Sequence, residues 1–241
     1  MIINNAGGHI MSIFNREEQY LKLLAGGECT VKELSEKLFI SEPTVRRDII
    51  ILKNKDLIDS KRGVVKLKPK YADQRIPLFV RDLEYNEAKK EIAIKAIKYI
   101  KDGDAIMLDA STTAYHILPH LASFKNILVI TNGAKTALNA AAMGIKTICT
   151  GGEMTLESFS CVGSDAEKML RQYNADIAFF SCRGFSDDGM VTDNSILENS
   201  MRRIMIKKSK KKFLLCDKSK FGHKHLNTLC YEDELDEIIS N

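Results

Sequence analysis

Between Thr30 and Lys55 the apolar positions recur at helical spacing in two short blocks. Val31, Leu34 and Leu38, with Ser35 beside them, form the inner face of the first; Val45, Ile49 and Leu52 form that of the second. Thr30 with Glu33 three residues on is a capping box, so the first helix is predicted to start there. Phe39-Ile40 turns the chain, Ser41 suits the cap of the second helix, and Pro43 is tolerated in its first turn. An earlier helix is expected, capped by Asn15 with Glu18, packing Tyr20, Leu21 and Leu24 on the pair and ending at Gly26-Gly27. Asp56 to Lys70 reads instead as a short hairpin whose basic tip is Lys61-Arg62-Gly63.

Further along, the period changes. Tyr85 to Lys101 is predicted as one amphipathic helix, with Ile92, Ala96, Tyr99 and Ile100 among its apolar positions. Five apolar runs follow, Ala105–Leu108, Ile127–Ile130, Ile145–Cys149, Ile177–Phe180 and Phe213–Cys216, separated by mostly helical segments. That alternation predicts an α/β domain with a largely parallel sheet covered on both faces. The cationic run Lys207 to Lys212 is expected at a helix C-terminus, where it complements the helix dipole. Two prolines between Pro69 and Asp82 mark a linker. The expected organisation is a disordered extension at 1–13, a helical domain with its hairpin at 14–68, a linker at 69–84 and the α/β domain at 85–241.

A chain of 241 residues, 44% hydrophobic and 28% charged, fits two soluble domains. No apolar run approaches a membrane span and no charged-then-apolar leader opens the chain, so a cytoplasmic protein without membrane partners is expected. Six cysteines, at 29, 149, 161, 182, 216 and 230, form no CxxC pair, and several sit inside apolar strand-like runs, which fits reduced, buried thiols. The net charge of +4 lies wholly in residues 1–70, where 13 Lys and Arg face 9 Asp and Glu; the remainder holds 23 of each. This places the positive excess on the helical segment and points to a polyanionic partner for it.

On the second helix of that segment Thr44 and Arg47 point away from the apolar face and Arg46 flanks it. An ordinary helical hairpin with solvated arginines would look the same. The basic hairpin that follows favours a winged helix-turn-helix, with the helix in a major groove and the wing along the phosphates of double-stranded operator DNA. The candidate DNA-contacting residues are Thr30, Ser41, Glu42, Pro43, Thr44, Arg46, Arg47, Lys61 and Arg62.

Ligands of open α/β sheets bind beyond the carboxyl ends of the strands. Here the predicted strands end in Asp109-Ala110-Ser111-Thr112-Thr113, Thr131-Asn132-Gly133, Gly151-Gly152-Glu153, Ser181-Cys182-Arg183-Gly184 and Asp217-Lys218-Ser219-Lys220-Phe221. Hydroxyls before a helix make an anion site or merely cap the helix. The two adjacent glycines either admit a ligand to the backbone or make a plain turn. His116 and His120, spaced four apart, and His223 with His225 are read as surface or core histidines, so no metal and no cofactor are expected. No nucleophile elbow or Ser-His-Asp order is present, and no catalytic residue is assigned.

The run from Ile40 to Ile49, Ile-Ser-Glu-Pro-Thr-Val-Arg-Arg-Asp-Ile, resembles the recognition-helix signature of DeoR-type bacterial transcriptional regulators. The later stretches Leu108–Thr113, Val129–Gly133, Cys161-Val162-Gly163, Asp176–Phe180 and Asp217–Phe221 resemble the sensor domain of the same family in order and wording. One departure is in the wing, where relatives often carry Arg-x-His-Gly-Gly and this chain has Ser60-Lys61-Arg62-Gly63-Val64. The resemblance implies a sensor related in fold to ribose-5-phosphate isomerase and CoA transferases, with a phosphorylated sugar as effector. Carried onto this chain, it implies Asp109 on sugar hydroxyls, Ser111, Thr112 and Thr113 on phosphate, and Lys218 neutralising charge. Thr131, Asn132, Gly133, Gly151, Gly152, Arg183, Glu198 and Asp217 complete the expected lining. The function expected is that of a repressor of a sugar or carbohydrate operon, relieved by the sugar phosphate and working as a homo-oligomer, a dimer or tetramer. The rival is an isomerase-like enzyme with an appended helix-turn-helix, in which Asp109, Glu198 and Lys218 would move protons.

Overall fold

In the computed structural model the described residues are 16–24 except 18 and 22, 27–68, 85–155 and 157–241. The expected Asn15–Glu18 capping box, the 1–13 extension and the 69–84 linker lie outside them. The chain divides into two units, residues 1–84 and 85–241.

In the first unit, residues 16–24 are helical where described (α1). They are followed by β1 (Cys29–Thr30), α2 (Val31–Leu38), α3 (Glu42–Asn54), β2 (Ile58–Lys61) and β3 (Val64–Leu67). The cap of α2 is complete: Glu33 N–H donates to Thr30 Oγ1 at 3.1 Å, and Thr30 N–H donates back to the Glu33 carboxylate at 2.7 Å. Phe39 ends α2 in the left-handed region, and the Ser35 hydroxyl, donating to Ile40 O at 2.5 Å, fixes the turn. Ser41 occupies the cap of α3 without bonding its backbone. Pro43 has no N–H to offer in the first turn, and the serine hydroxyl pairs with the Thr44 hydroxyl at 2.9 Å instead. Tyr20, Leu21, Leu24, Val31, Leu34, Val45, Ile49, Leu52, Ile58 and Val65 make the core of this unit. Strands β2 and β3 form the hairpin, with Arg62 and Gly63 both at positive φ, the backbone of a two-residue turn whose twist matches its strands. β1 pairs with β3 and completes a three-stranded antiparallel sheet.

The second unit opens with α4 (Asn86–Ala96), which tightens into a 3-10 turn at Ile97–Tyr99 instead of running on to Lys101. The chain must reverse there: Lys101 N–H is captured by the Asp104 carboxylate at 2.8 Å, and Gly103 takes positive φ. Next come β4 (Ala105–Leu108), α5 (Thr112–Tyr115), α6 (Leu118–Leu121), β5 (Leu128–Thr131), α7 (Ala134–Ala142), β6 (Lys146–Cys149), β7 (Glu153–Met154) and β8 (Cys161–Val162). The remaining elements are α8 (Gly163–Leu170), β9 (Ala175–Ser181), β10 (Gly184–Phe185), β11 (Met190–Asp193), α9 (Ile196–Lys208), β12 (Ser209–Leu215), β13 (Asn227–Tyr231) and β14 (Glu237–Ile239). Six strands pair in parallel in the order β14-β12-β9-β4-β5-β6.

Successive residues of a strand face opposite sides, and the two cores follow that rule. Ile106, Leu108, Val129, Ile177, Phe179, Phe213 and Leu215 pack under α4 and α6, with the Phe179 and Phe213 rings stacked at 5.3 Å. Met107, Ile130, Ala178, Phe180 and Leu214 face the other way, toward α8 and α9. The five expected strands are all present, Ala105–Leu108 with the expected bounds and the other four with shifted ones. The cationic run closes a helix only in part: Lys207 and Lys208 stand in the last turn of α9, as expected, but residues 209–212 begin β12. There Lys210 reaches the Asp176 carboxylate at 2.8 Å, and Lys212 N–H is taken by Asp236 at 2.8 Å, so the strand's polar first half is held at the sheet margin. Two small antiparallel sheets, β10-β11-β13 and the β7-β8 hairpin, sit in the connections. All six cysteines are free thiols, but Cys149, expected buried, is exposed because β6 is the outermost strand.

Candidate functional site

In the first unit, α3 is anchored by Val45, Ile49 and Leu52, and by Asp48, whose carboxylate accepts from the Tyr20 hydroxyl at 3.2 Å and Arg16 Nε at 3.3 Å. Burial and this carboxylate push the Tyr20 phenol well above its ordinary range. One side of α3 is therefore locked to α1, and Arg46 and Arg47 on the other side are exposed. Arg46 lies 3.3 Å from Glu42 one turn back, a pair that holds its guanidinium along the helix. Pro43 is exposed and Thr44 half-buried, and Lys61 and Arg62 are exposed at the hairpin tip. Thr30 is spent on its capping box, and its neighbour Val31 donates its N–H to Gly63 O at 3.0 Å, tying the helix pair to the hairpin tip.

In the second unit, parallel pairing brings the carboxyl ends of β4, β9 and β12 side by side. Asp109, 1% exposed, accepts from Ser111 N–H at 3.1 Å, Ser111 Oγ at 2.5 Å and Ser181 N–H at 3.2 Å. Its other partner is Arg202 of α9, whose Nε donates at 2.8 Å. Arg202 is the hub. It also donates to Asp193 at 2.8 Å and Asn199 at 3.3 Å, and it lies 3.6 Å from Glu198. Burial alone would lower its pKa, but Asp193, Asp109 and Glu198 raise it above its ordinary value. Burial works to raise Asp193, yet Arg202, the N–H groups of Ser195 and Asn194, and Arg183 at 3.7 Å hold it below the usual carboxylate range.

Glu198 reaches from this hub to a row of hydroxyls, accepting from Ser158 Oγ at 2.5 Å and Ser160 Oγ at 2.6 Å; Thr155 joins them at 2.8 and 2.9 Å. Ser111 caps α5, accepting from Ala114 N–H at 3.1 Å, and Thr112 and Thr113 are buried in its first turn. Thr131 Oγ1 accepts from Gly133 N–H at 3.0 Å, and Asn132 is clamped to Cys161 by two bonds, leaving its side-chain oxygen buried without a donor. Gly133 sits so close to Ala110 that a Cβ would lie 3.0 Å from its Cα. Gly151 and Gly152 are exposed at positive φ, and a Cβ on Gly152 would meet Val162 O at 2.7 Å.

The two lysines after β12 part company. Asp217 caps a 3-10 turn by accepting from Ser219 N–H at 3.2 Å, and that turn directs Lys220 inward. Lys220 Nζ stands 3.0 Å from Asp217 and donates to Ser181 Oγ at 2.9 Å. Burial disfavours the charge on each partner, but their attraction outweighs it, lowering Asp217 and raising Lys220. Lys218 is exposed, with its backbone N–H on Asn241 at 3.0 Å. Sequence reasoning missed Arg202, Asp193, Ser158 and Ser160, and gave no individual role to Ser181 and Lys220 within the strand ends it named. For Lys220 the signal was the Asp-x-Ser turn, whose geometry decides which lysine turns in. Arg202 left none, being one of several cations on α9.

Chemically, the strand ends offer hydroxyls, backbone N–H groups and ammonium groups to a polar ligand. Among the described residues, no group of three or more His, Cys, Asp or Glu side chains is placed to hold a metal. No helix there is long and apolar enough to cross a membrane.

Comparison with known proteins assigns both units. Residues 16–69 match the DeoR-like helix-turn-helix domain, and residues 84–241 match the DeoR C terminal sensor domain. The chain is 32% identical to the HTH-type transcriptional regulator IolR of Bacillus subtilis, over 96% of this chain and 92% of that protein. It is 28% identical to the L-fucose operon activator of Escherichia coli, over 91% and 90%, and 26% identical to a lactose phosphotransferase system repressor of Staphylococcus epidermidis, over 96% and 93%. Among solved structures, ribose 5-phosphate isomerase A of Methanocaldococcus jannaschii aligns with a TM-score of 0.44 at 18% identity, covering 57% of this chain and 55% of that one.

Proposed function

This chain belongs to the DeoR family of helix-turn-helix transcriptional regulators, and from that premise we propose that it represses a sugar or carbohydrate operon and is relieved by a phosphorylated sugar. The observation that carries the DNA-binding part is the exposure of Arg46 and Arg47 on a helix whose opposite face is anchored by Val45, Asp48, Ile49 and Leu52. Arg47 donates to guanine in the major groove. Lys61 and Arg62 track the phosphates, and a two-fold oligomer, dimer or tetramer, presents two such helices to a palindromic operator. Relatives named for the lactose phosphotransferase system and the L-fucose operon support a carbohydrate operon.

The sugar phosphate lies across the strand ends. Ser111, Thr112 and Thr113 face its phosphate, Asn132 Oδ1 accepts a hydroxyl, and the exposed Lys218 closes over the charge. Asp109 shapes the floor through Arg202. The ligand relieves repression to the extent that it binds the DNA-incompetent arrangement more tightly. Two of the three acid–base groups that an isomerase would need are committed elsewhere, Asp109 to Arg202 and Glu198 to two serines, which favours a sensor over an enzyme.

Fluorescence anisotropy with duplex from the protein's own promoter region tests the first half: Arg47→Ala should lose about 1–3 kcal/mol of sequence discrimination while its melting curve stays unchanged. Retained selectivity in that variant would overturn the assignment. A thermal-shift screen against phosphorylated sugars tests the second half, since a ligand of the native state raises the melting temperature by mass action. Lys218→Ala should shrink that rise and leave DNA affinity unaltered. Turnover of ribose 5-phosphate at enzyme-like rates would replace this reading with the enzymatic one.

A further inference from the structure

The thiols of Cys182 and Cys216 lie 3.9 Å apart, each one residue past the end of a paired strand. The last register pair of β9 and β12 is Ser181 with Leu215, so the two cysteines are the next rungs of the same parallel ladder. Neighbouring strands run about 4.8 Å apart, within the Cα separation of about 4.4–6.8 Å that a disulfide spans.

Cys182 is 5% exposed and Cys216 fully buried, so what distinguishes the pair is its proximity and the charge beside it. The Cys182 and Cys216 thiols are in hydrogen-bond contact, and Lys220 and Arg202 lie near Cys182. Together these hold it below the ordinary thiol range against its burial, while the same pairing and burial push Cys216 up. Thiolate character in an electropositive setting is what makes a cysteine nucleophilic. Neither thiol has a role in the DNA-binding or ligand-binding assignments above.

We propose that Cys182 and Cys216 form a peroxide-reactive dithiol that closes to a disulfide across the carboxyl ends of β9 and β12. Cys182 sulfur attacks one oxygen of hydrogen peroxide; the O–O bond breaks, and the departing hydroxide takes the Cys182 proton and leaves as water. The resulting sulfenic acid is attacked at sulfur by Cys216. The S–S bond forms, the S–O bond breaks, and the hydroxyl leaves with the Cys216 proton as a second water. Both sulfurs are oxidised, and one peroxide is reduced to two waters. The bridge flanks the residues that seat Lys220: Ser181, which accepts from its ammonium, precedes Cys182, and Asp217, its ion-pair partner, follows Cys216. Oxidation thus fixes the spacing of the two strand ends that carry the ammonium, whatever ligand they serve.

The test uses the full chain. Folded protein is treated with graded hydrogen peroxide, quenched with catalase, unfolded in iodoacetamide, digested and mapped. Parallel samples carry Cys149→Ser, which removes the exposed thiol, or Cys216→Ser, which removes the resolving one. The expected result is loss of both thiols from alkylation, their peptides joined, full recovery with dithiothreitol, and the same outcome in Cys149→Ser. In Cys216→Ser the reaction should stop at a Cys182 sulfenic acid that dimedone captures. The proposal is overturned if Cys182 and Cys216 stay alkylatable under peroxide that oxidises Cys149, or if either joins Cys149 or Cys161 instead.

Discussion

Replacing Arg202 by methionine keeps the apolar stem and removes the fork that three buried acids share. Asp109 and Asp193 each lie 2.8 Å from it and Glu198 3.6 Å. Removing one partner of a buried ion pair costs about 3–5 kcal/mol, because the charge left behind stays desolvated. The lower end applies here, since every orphan keeps other donors. Asp109 retains Ser111 and Ser181, Asp193 retains the N–H groups of Asn194 and Ser195, and Glu198 retains Ser158 and Ser160. At about 2–4 °C per kcal/mol for a domain of this size, the sensor unit should melt about 6–12 °C lower. Arg202→Lys restores the charge without the fork and should fall between. The measurement is circular dichroism melting at neutral pH, repeated in acid, where protonation of the carboxylates should shrink the deficit. A methionine variant that melts with the wild type at neutral pH would refute the assignment of Arg202 as the hub.

Acid stability follows from the same site. Asp193 and Asp217 have folded pKa values below the ordinary range, so their stabilisation is complete above the unfolded value, about 3.9, and is lost as pH falls through the lowered folded values. Asp193→Asn should flatten the acid limb of a melting-temperature profile, and an unchanged slope would contradict the pairing. Gly152→Ala places a Cβ 2.7 Å from Val162 O at a φ of +105° and should cost about 1–3 kcal/mol, whereas Gly151→Ala, with open space around it, should cost less; equal melting of the two variants would count against the packing described. Thr30→Ala should weaken α2 by about 0.5–2 kcal/mol, read as faster amide exchange at Glu33, while Ser41→Ala should change α3 little, because that hydroxyl makes no backbone bond.

Much of this architecture was legible because local chemistry and tertiary packing agree. The Thr30–Glu33 box and the i, i+3, i+4 stripes of α2 and α3 are written in neighbouring residues, and the central strands are short apolar runs bounded by turns. What failed to show has physical reasons. β14 is a three-residue edge strand with a charged first residue, so it carries no continuous apolar run. In the first half of β12 the ammonium groups of Lys210 and Lys212 pair with Asp176 and Asp236, acids that only the fold brings to them. The hub at Arg202 joins residues from β4, β11 and α9, and no spacing along the chain encodes that meeting. The strand-end hydroxyls were visible, but which of them are already spoken for was not.

That last distinction limits how an anionic ligand can be bound. The guanidinium of Arg202 is enclosed by three acids, and Lys220 is paired with Asp217, so their positive charge is largely offset before any ligand arrives. An anion that recruited either would have to draw it away from a buried carboxylate, a cost that offsets much of the interaction it gains. The exposed ammonium of Lys218 carries no such penalty and stands on the same turn. For the sugar phosphate proposed above, charge neutralisation from the rim by Lys218, with Arg202 and Lys220 holding the floor rigid, is therefore the arrangement that costs least. It predicts that Lys218→Ala lowers ligand affinity without lowering the melting temperature, and that Lys220→Ala lowers both. Calorimetric titration and melting of the two variants decide the matter; loss of binding in Lys220→Ala with unchanged stability would place the contact on the buried lysine instead.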